Sequence, residues 1–192
     1  MRPIDNWENI EEAGTSLPAL EVKPGAYIVK ILKVEDIQDK EYLKIYFDFY
    51  DGEYKGACEK YKKDNGEYPH AGSFIRSYKD TATRFFKAFI TAVEKSNART
   101  NYRWNWDERT LEGKYFVAVF GEEEFEKNDG TIGVSCKCVD ARSIEALKNK
   151  EIKVPSLKKL KSKSTNNSGG TVPAKQNDDF GGFNINDDDL PF

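Results

Sequence analysis

The sequence predicts a mainly β fold with one main helix, five strands around a single apolar core, and a C-terminal tail outside it. Three observations carry that expectation. Short segments alternate apolar and polar residues, clearest over 42–50, YLKIYFDFY, which is how a half-buried strand reads. The segment 81–96, TATRFFKAFITAVEKS, instead spaces its apolar residues as a helix does. Beyond residue 160, Ser, Thr, Asn, Gly, Pro and Gln take over. That stretch buries too little apolar surface to offset the entropy of ordering.

Residues 1–24 form an acidic, irregular arm broken by Pro3, Gly14, Pro18 and Pro24, with Trp7 and Leu17 suited to packing it onto the domain. Pro24-Gly25 launches a β-branched, apolar strand over Ala26–Val34. Asp36–Lys40 makes a polar turn. In the strand Tyr42–Tyr50, Leu43, Ile45, Phe47 and Phe49 take one face, and Tyr42, Lys44, Tyr46 and Asp48 the other. Asp51-Gly52 turns the chain, and Ala57–Lys63 suits either a strand or a short helix. Ser73–Tyr78 is the third strand. The helix Thr81–Ser96 follows, with Asp80 as N-cap and Phe85, Phe86, Phe89, Ile90 and Val93 as its apolar stripe. After a Trp-bearing loop to Glu112, Lys114–Phe120 and Ile132–Val139 form a hairpin through an acidic loop ending at Asn128-Asp129-Gly130. Strand, strand, strand, helix, strand, strand is the order of the OB-fold, a five-stranded barrel with its helix between strands three and four. The expected organisation is an arm over 1–24, an OB-fold domain with long loops over 25–160, a flexible linker over 161–186 and an acidic tip over 187–192.

The net charge of −3 hides segregation. From Arg142 to Lys163 eight Lys/Arg face only Glu145 and Glu151, while Asp178–Phe192 holds five aspartates and no basic residue. Cys58, Cys136 and Cys138 follow no disulfide or zinc spacing, with His70 the only histidine, and read as reduced thiols. The chain opens without the apolar core of a signal peptide and nowhere approaches ~20 consecutive apolar residues. A cytoplasmic protein with no membrane partner is expected. A Gly-rich phosphate loop and a two-metal carboxylate spacing are both lacking, so neither an enzyme nor a cofactor is expected.

Binding single strands without sequence choice needs cations for the phosphates and flat side chains on which bases stack. The outward face of strand two supplies Tyr42, Lys44 and Tyr46; strand three offers Phe74, Arg76 and Tyr78; the following loop offers Arg103, Trp104 and Trp106. Two alternatives stay open: Phe74 belongs to the core if Ile75 faces outward, and Trp104 and Trp106 cap the barrel if they turn inward. The run Lys148–Lys163 either extends the phosphate track or is a solvated linker.

The chain closes on Asp187, Asp188, Asp189, Leu190, Pro191 and Phe192. Phe192 pairs an apolar ring with an α-carboxylate, Pro191 restricts the backbone, and the aspartates steer the peptide toward basic surfaces. A solvating acidic tail is the plainer alternative. The motif DDDLPF resembles the C-terminal tip of bacterial and phage single-stranded DNA-binding proteins. The passage Ser77–Asn97, SYKDTATRFFKAFITAVEKSN, between a Tyr-rich hairpin and a closing strand pair, is similar to phage-encoded members of that class over about residues 20–145. The acidic arm and the long loops after strands two and three depart from the family's pattern. The resemblance implies a protein of the host bacterial cytoplasm that coats single-stranded DNA during phage replication or recombination. It further implies a homo-oligomer, and recruitment of replication, recombination and repair proteins, including a phage recombinase or annealing protein, through the tip. An alternative function is an OB-fold adaptor that binds protein and mimics the host tip to capture host proteins.

Overall fold

The computed structural model describes residues 19–160. The chain divides into two units, Met1–Lys159 and Leu160–Phe192, and the fold is that of the first. Residues 1–18 of the expected arm, with Trp7 and Leu17, the expected linker and the tip lie outside the described residues. The described elements run β1 (Gly25–Ile37), β2 (Tyr42–Phe49), α1 (Ala57–Asn65), β3 (Ser73–Ser77), α2 (Thr83–Ser96), β4 (Tyr115–Glu126), β5 (Ile132–Arg142) and α3 (Ile144–Lys148). The fold is mainly β with α2 as its main helix, and the segment that suited strand or helix is helix α1. No helix among the described residues is long and apolar enough to cross a membrane.

The five strands form one antiparallel sheet in the order β3-β2-β1-β4-β5. β3 and β5 are its edges, so the ladder stays open where the expected barrel would close. A side chain spans the gap: Arg76 Nη2 lies 3.4 Å from the Val139 carbonyl oxygen and 3.6 Å from the Asp140 carboxylate.

Alternation in β2 sends Leu43, Ile45, Phe47 and Phe49 into the core, each at most 3% exposed. α2 packs Phe86, Phe89, Ile90 and Val93 into the same cluster, with the Phe89 ring 5.7 Å from Phe116 at 89°. Phe85, one residue off that stripe, is only half-buried. Asp80 does not cap the helix. It opens a 3-10 turn, Asp80–Ala82, and Ala82 takes the cap position with no side-chain hydrogen bond.

β1 changes phase along its length. Val29 and Ile31 face the core, and so does Val34. The change is a bulge against β2, where Ile31 pairs with Phe47 but Lys33 pairs with Tyr46, leaving Leu32 as the extra residue. Gly113, at φ +77°, lets the next chain segment fit there. Its N–H donates to the Ile31 carbonyl and the Ile31 N–H donates to the Lys114 carbonyl, both at 2.8 Å.

The acidic segment expected as a loop is strand instead: β4 continues through Glu126, and the turn is confined to Lys127–Thr131. This extension is covered from the C-terminal side. Lys158 exchanges backbone hydrogen bonds with Glu122 and Glu124, each 2.9 Å. Pro155 sits 2.8 Å from where a Cβ on Gly121 would stand, so only glycine admits that approach.

Asp48 was expected on the outer face, yet it is 4% exposed. Its Oδ1 accepts from the N–H groups of Phe49 (2.7 Å) and Cys58 (3.0 Å), and its Oδ2 from Glu59 (3.0 Å). Cys58 and Glu59 stand in the first turn of α1, whose own N-cap, Gly56, has no side chain to offer. A strand carboxylate thus does the capping. We expect Asp48→Ala to cost on the order of 2–3 kcal/mol, since it orphans buried donors, and Asp48→Asn clearly less. Phe47→Ala should cost ~3–5 kcal/mol through the cavity it leaves. Urea denaturation monitored by circular dichroism measures all three.

Candidate nucleic-acid interface

Register places the outward residues of three strands side by side. Tyr46 stands opposite Lys33 of β1 and Ser73 of β3, Lys44 opposite Glu35 and Ile75, and Tyr42 opposite Ile37 and Ser77. Tyr42, Lys44 and Tyr46 are all half-buried. Tyr46 is the centre of a cluster. Its ring lies 4.9 Å from that of Tyr68, tilted 30°, with Lys44 Nζ at 5.1 Å and Lys33 Nζ at 6.0 Å from its centroid. Lys62 Nζ lies 4.2 Å from the Tyr68 ring centre. Two aromatic faces and three ammonium groups are therefore gathered on one surface.

Glu35 organises that surface. Its carboxylate pairs with Lys33 at 2.5 Å and accepts a 3.0 Å hydrogen bond from the Tyr46 hydroxyl. The Lys33 hydrogen bond is the main reason its pKa lies below the usual carboxylate value. Burial, and then Glu35, push the Tyr46 phenol up to about 12, so the ring is neutral in any physiological buffer. Positive charge continues toward β5. The pKa of His70 is pushed down first by burial, then by Lys137 and Lys44, although much of its side chain meets solvent.

β3 corrects the expectation for its face. Phe74 is 4% exposed and belongs to the core, stacked 6.1 Å from Phe116. Ile75 turns outward instead, because β3 presents Phe74 and Arg76 to the side where α2 packs. Arg76 lies with its guanidinium 4.1 Å over the Phe74 ring, its side chain 18% exposed, and its Nε has no hydrogen-bond partner among the described residues. Tyr78 packs against Phe86 at 6.0 Å and donates a 2.8 Å hydrogen bond to Asp36. These three residues do not join the Tyr46 surface.

The tryptophan loop goes elsewhere too. Trp104 is half-buried against Phe86, its backbone N–H donating to Glu94 at 2.9 Å. Trp106 is 84% exposed at φ +69°, 6.3 Å from Trp104. Both line a cavity of about 470 Å³ that also presents Asp36, Glu41 and Glu108. Arg103 is exposed beside the loop and donates to the Tyr102 carbonyl at 3.4 Å.

Of the basic run, Lys158 is engaged by Glu123 at 2.5 Å, and Lys137 also pairs with that carboxylate. Burial opposes the charge on Glu123, but the hydrogen bonds from the two lysines outweigh it and hold the pKa low. Lys148, Lys150 and Lys153 are exposed. Cys58 and Cys138 are buried thiols whose pKa burial pushes up. Among the described residues no group of His, Cys, Asp and Glu is placed to hold a metal ion.

Sequence reasoning missed Lys33, Lys62 and Tyr68. Lys33 lay hidden behind the bulge phase, while Tyr68 and Lys62 reach Tyr46 only through the fold of the segment between β2 and β3. No family model matches this chain, and no curated protein matches it.

Glu35 titrates below its unfolded value, so the stability it supplies is present above the unfolded carboxylate pKa, ~4.3, and is lost as pH falls through the folded one. Wild type should exceed Glu35→Gln in stability at neutral pH, and the two should converge at the acid end. Denaturation midpoints across pH measure this; parallel curves would refute the pairing.

Proposed function

We propose that this chain is a single-stranded DNA-binding protein of OB type that holds the strand on the Tyr46 surface and recruits partners through Asp187–Phe192. The observation that carries the reading is the Tyr46–Tyr68 ring pair among Lys33, Lys44 and Lys62. Bases stack on the rings while the ammonium groups neutralise phosphates, a sequence-tolerant chemistry that needs no catalysis. The connectivity supports it: β1 neighbours β2 and β4, and α2 falls between β3 and β4, as in an OB-fold. Tyr42 extends the stacking track along β2. Phe74, Arg76, Tyr78 and the Trp104–Trp106 loop have no part in it.

In this reading the protein coats exposed strands during phage replication or recombination in the host cytoplasm. The terminal peptide then hands those strands to recombination, replication and repair proteins, a phage recombinase or annealing protein among them. A second reading, favoured by the DDDLPF pattern alone, is an OB-type adaptor that keeps the tip and binds no DNA.

Oligo-dT should quench tyrosine fluorescence and bind far better than duplex of equal length, its affinity falling linearly in log–log with salt. Tyr46→Ala and Tyr68→Ala should each cost about 1–3 kcal/mol of binding. Equal affinity for duplex would overturn the stacking surface, and no oligo-dT binding at all would select the adaptor.

The tip is tested separately. Removing Phe192 takes away the ring and displaces the terminal carboxylate but keeps all five aspartates of Asp178–Phe192. Binding to a protein that recognises bacterial single-stranded DNA-binding tips should collapse, with oligo-dT affinity unchanged. Intact partner binding would make this stretch a solvating tail.

A further inference from the structure

The cavity beneath the tryptophan loop has the wrong charge for a nucleic acid. Its walls are aromatic, from Trp104, Trp106, Tyr78 and Phe86, and its rim carries the carboxylates of Asp36, Glu41 and Glu108, with neither lysine nor arginine among the lining residues. A phosphate at this mouth meets three like charges. A cation meets ring faces and opposite charges at once. We propose that this cavity is a docking site for an arginine side chain carried on a basic segment of a partner protein, separate from the Tyr46 surface.

Several features specify the ligand. Its volume, about 470 Å³, exceeds what an ion needs and lies in the range of small-ligand sites. Trp106, 84% exposed, stands at the open side, where a peptide running past can insert a side chain under the indole. Guanidinium is favoured over ammonium because it is planar, stacks on indole and sheds water more readily. It also reaches carboxylates through several N–H groups at once. The rim is pre-positioned. Asp36 is fixed by the hydrogen bond from Tyr78, and Glu41 by the turn, where its carbonyl accepts from the Tyr78 N–H at 2.9 Å and the Ser77 hydroxyl at 3.0 Å. Glu108 stands in the 3-10 turn Glu108–Leu111, fastened at its start by the Asp107 side chain accepting from the Arg109 N–H. Trp104 adds a buried indole N–H without a partner among the described residues, a donor that a peptide carbonyl can satisfy after a small side-chain shift.

The site faces away from the nucleic-acid surface. Leu43, which lines the cavity, and Lys44, beside Tyr46, point to opposite sides of β2. A partner could therefore dock while the strand is held.

The test uses the full-length protein and an acetylated, amidated Arg-Gly repeat peptide, with its Lys-Gly and Gln-Gly counterparts, by calorimetry and tryptophan fluorescence. The Arg peptide should bind several-fold tighter than the Lys peptide, and the Gln peptide should not bind. Trp106→Ala, at an exposed position that the fold does not need, should weaken Arg-peptide binding about five- to thirtyfold. Glu41→Gln should weaken it and flatten its salt dependence. Neither change should alter oligo-dT affinity. The acidic stretch Asp178–Phe192 is identical in all these proteins, so attraction to it cannot mimic the differences. Unchanged peptide binding in Trp106→Ala would overturn the proposal. So would displacement of the peptide by oligo-dT together with loss of oligo-dT binding in that variant, which would make the cavity a nucleotide site. A failed Tyr46→Ala DNA-binding test would leave this site standing, and the reverse holds as well.

Discussion

The bulge at Leu32 is the feature on which the rest of the molecule depends. β1 is the central strand of the sheet, paired with β4 over its first half and with β2 along most of its length. An unbroken two-residue alternation from Ile31 would drive Lys33 into the core and push Val34 out. The extra residue reverses this. Val34 enters the core, and Lys33 and Glu35 emerge beside Tyr46 and Lys44. The same irregularity frees backbone groups that must be satisfied elsewhere. The stretch after α2 meets them: Gly113 and Lys114 bond to Ile31, and the Val34 N–H donates to the Glu112 carboxylate at 3.3 Å. One inserted residue thus sets the core phase, ties β1 to the loop before β4, and assembles the cation–aromatic surface.

Two aromatic sites of opposite charge sit on the two faces of β2. The Tyr46 surface gathers lysines, with Glu35 as the counter-ion that holds Lys33 and the Tyr46 hydroxyl in place. The tryptophan cavity gathers carboxylates. Aromatic rings line both places, and charge is what distinguishes them. A polyanion would meet lysines on one face and carboxylates on the other, a contrast that salt screens. Buried polar groups serve position more than charge. Asp48 caps α1 from a neighbouring strand. The Asn97 side chain donates to the Val93 and Tyr115 carbonyls and accepts from the Tyr115 N–H, joining the end of α2 to the start of β4.

Much of the fold was legible from local pattern. β2 shows its alternation in every residue up to Phe47, and the stripe of α2 is recognisable because helical spacing is a property of neighbouring residues. The errors share a cause. β3 is too short, and Phe74-Ile75 too evenly apolar, for alternation to say which residue faces in. Asp48 looks like a surface carboxylate until α1 arrives above it with uncapped N–H groups. Glu122–Glu126 looks like a loop by composition, yet it pairs with β5 and accepts the strap at Lys158. Of the candidate surface, Tyr42, Lys44 and Tyr46 could be read directly. Lys33, Lys62 and Tyr68 could not, because a bulge and the path of a connecting segment bring them there.

By itself the sequence determined the β-rich class, the main helix, the apolar face of β2 and the charge division between basic run and acidic end. These follow from periodicity and composition, which are local. Only the tertiary structure decided which aromatics meet cations and which meet carboxylates. Lys33 and Tyr68 reach Tyr46, and Asp36, Glu41 and Glu108 reach Trp106, through strand register and loop paths between residues far apart in the chain. Those paths are set by how the whole core closes.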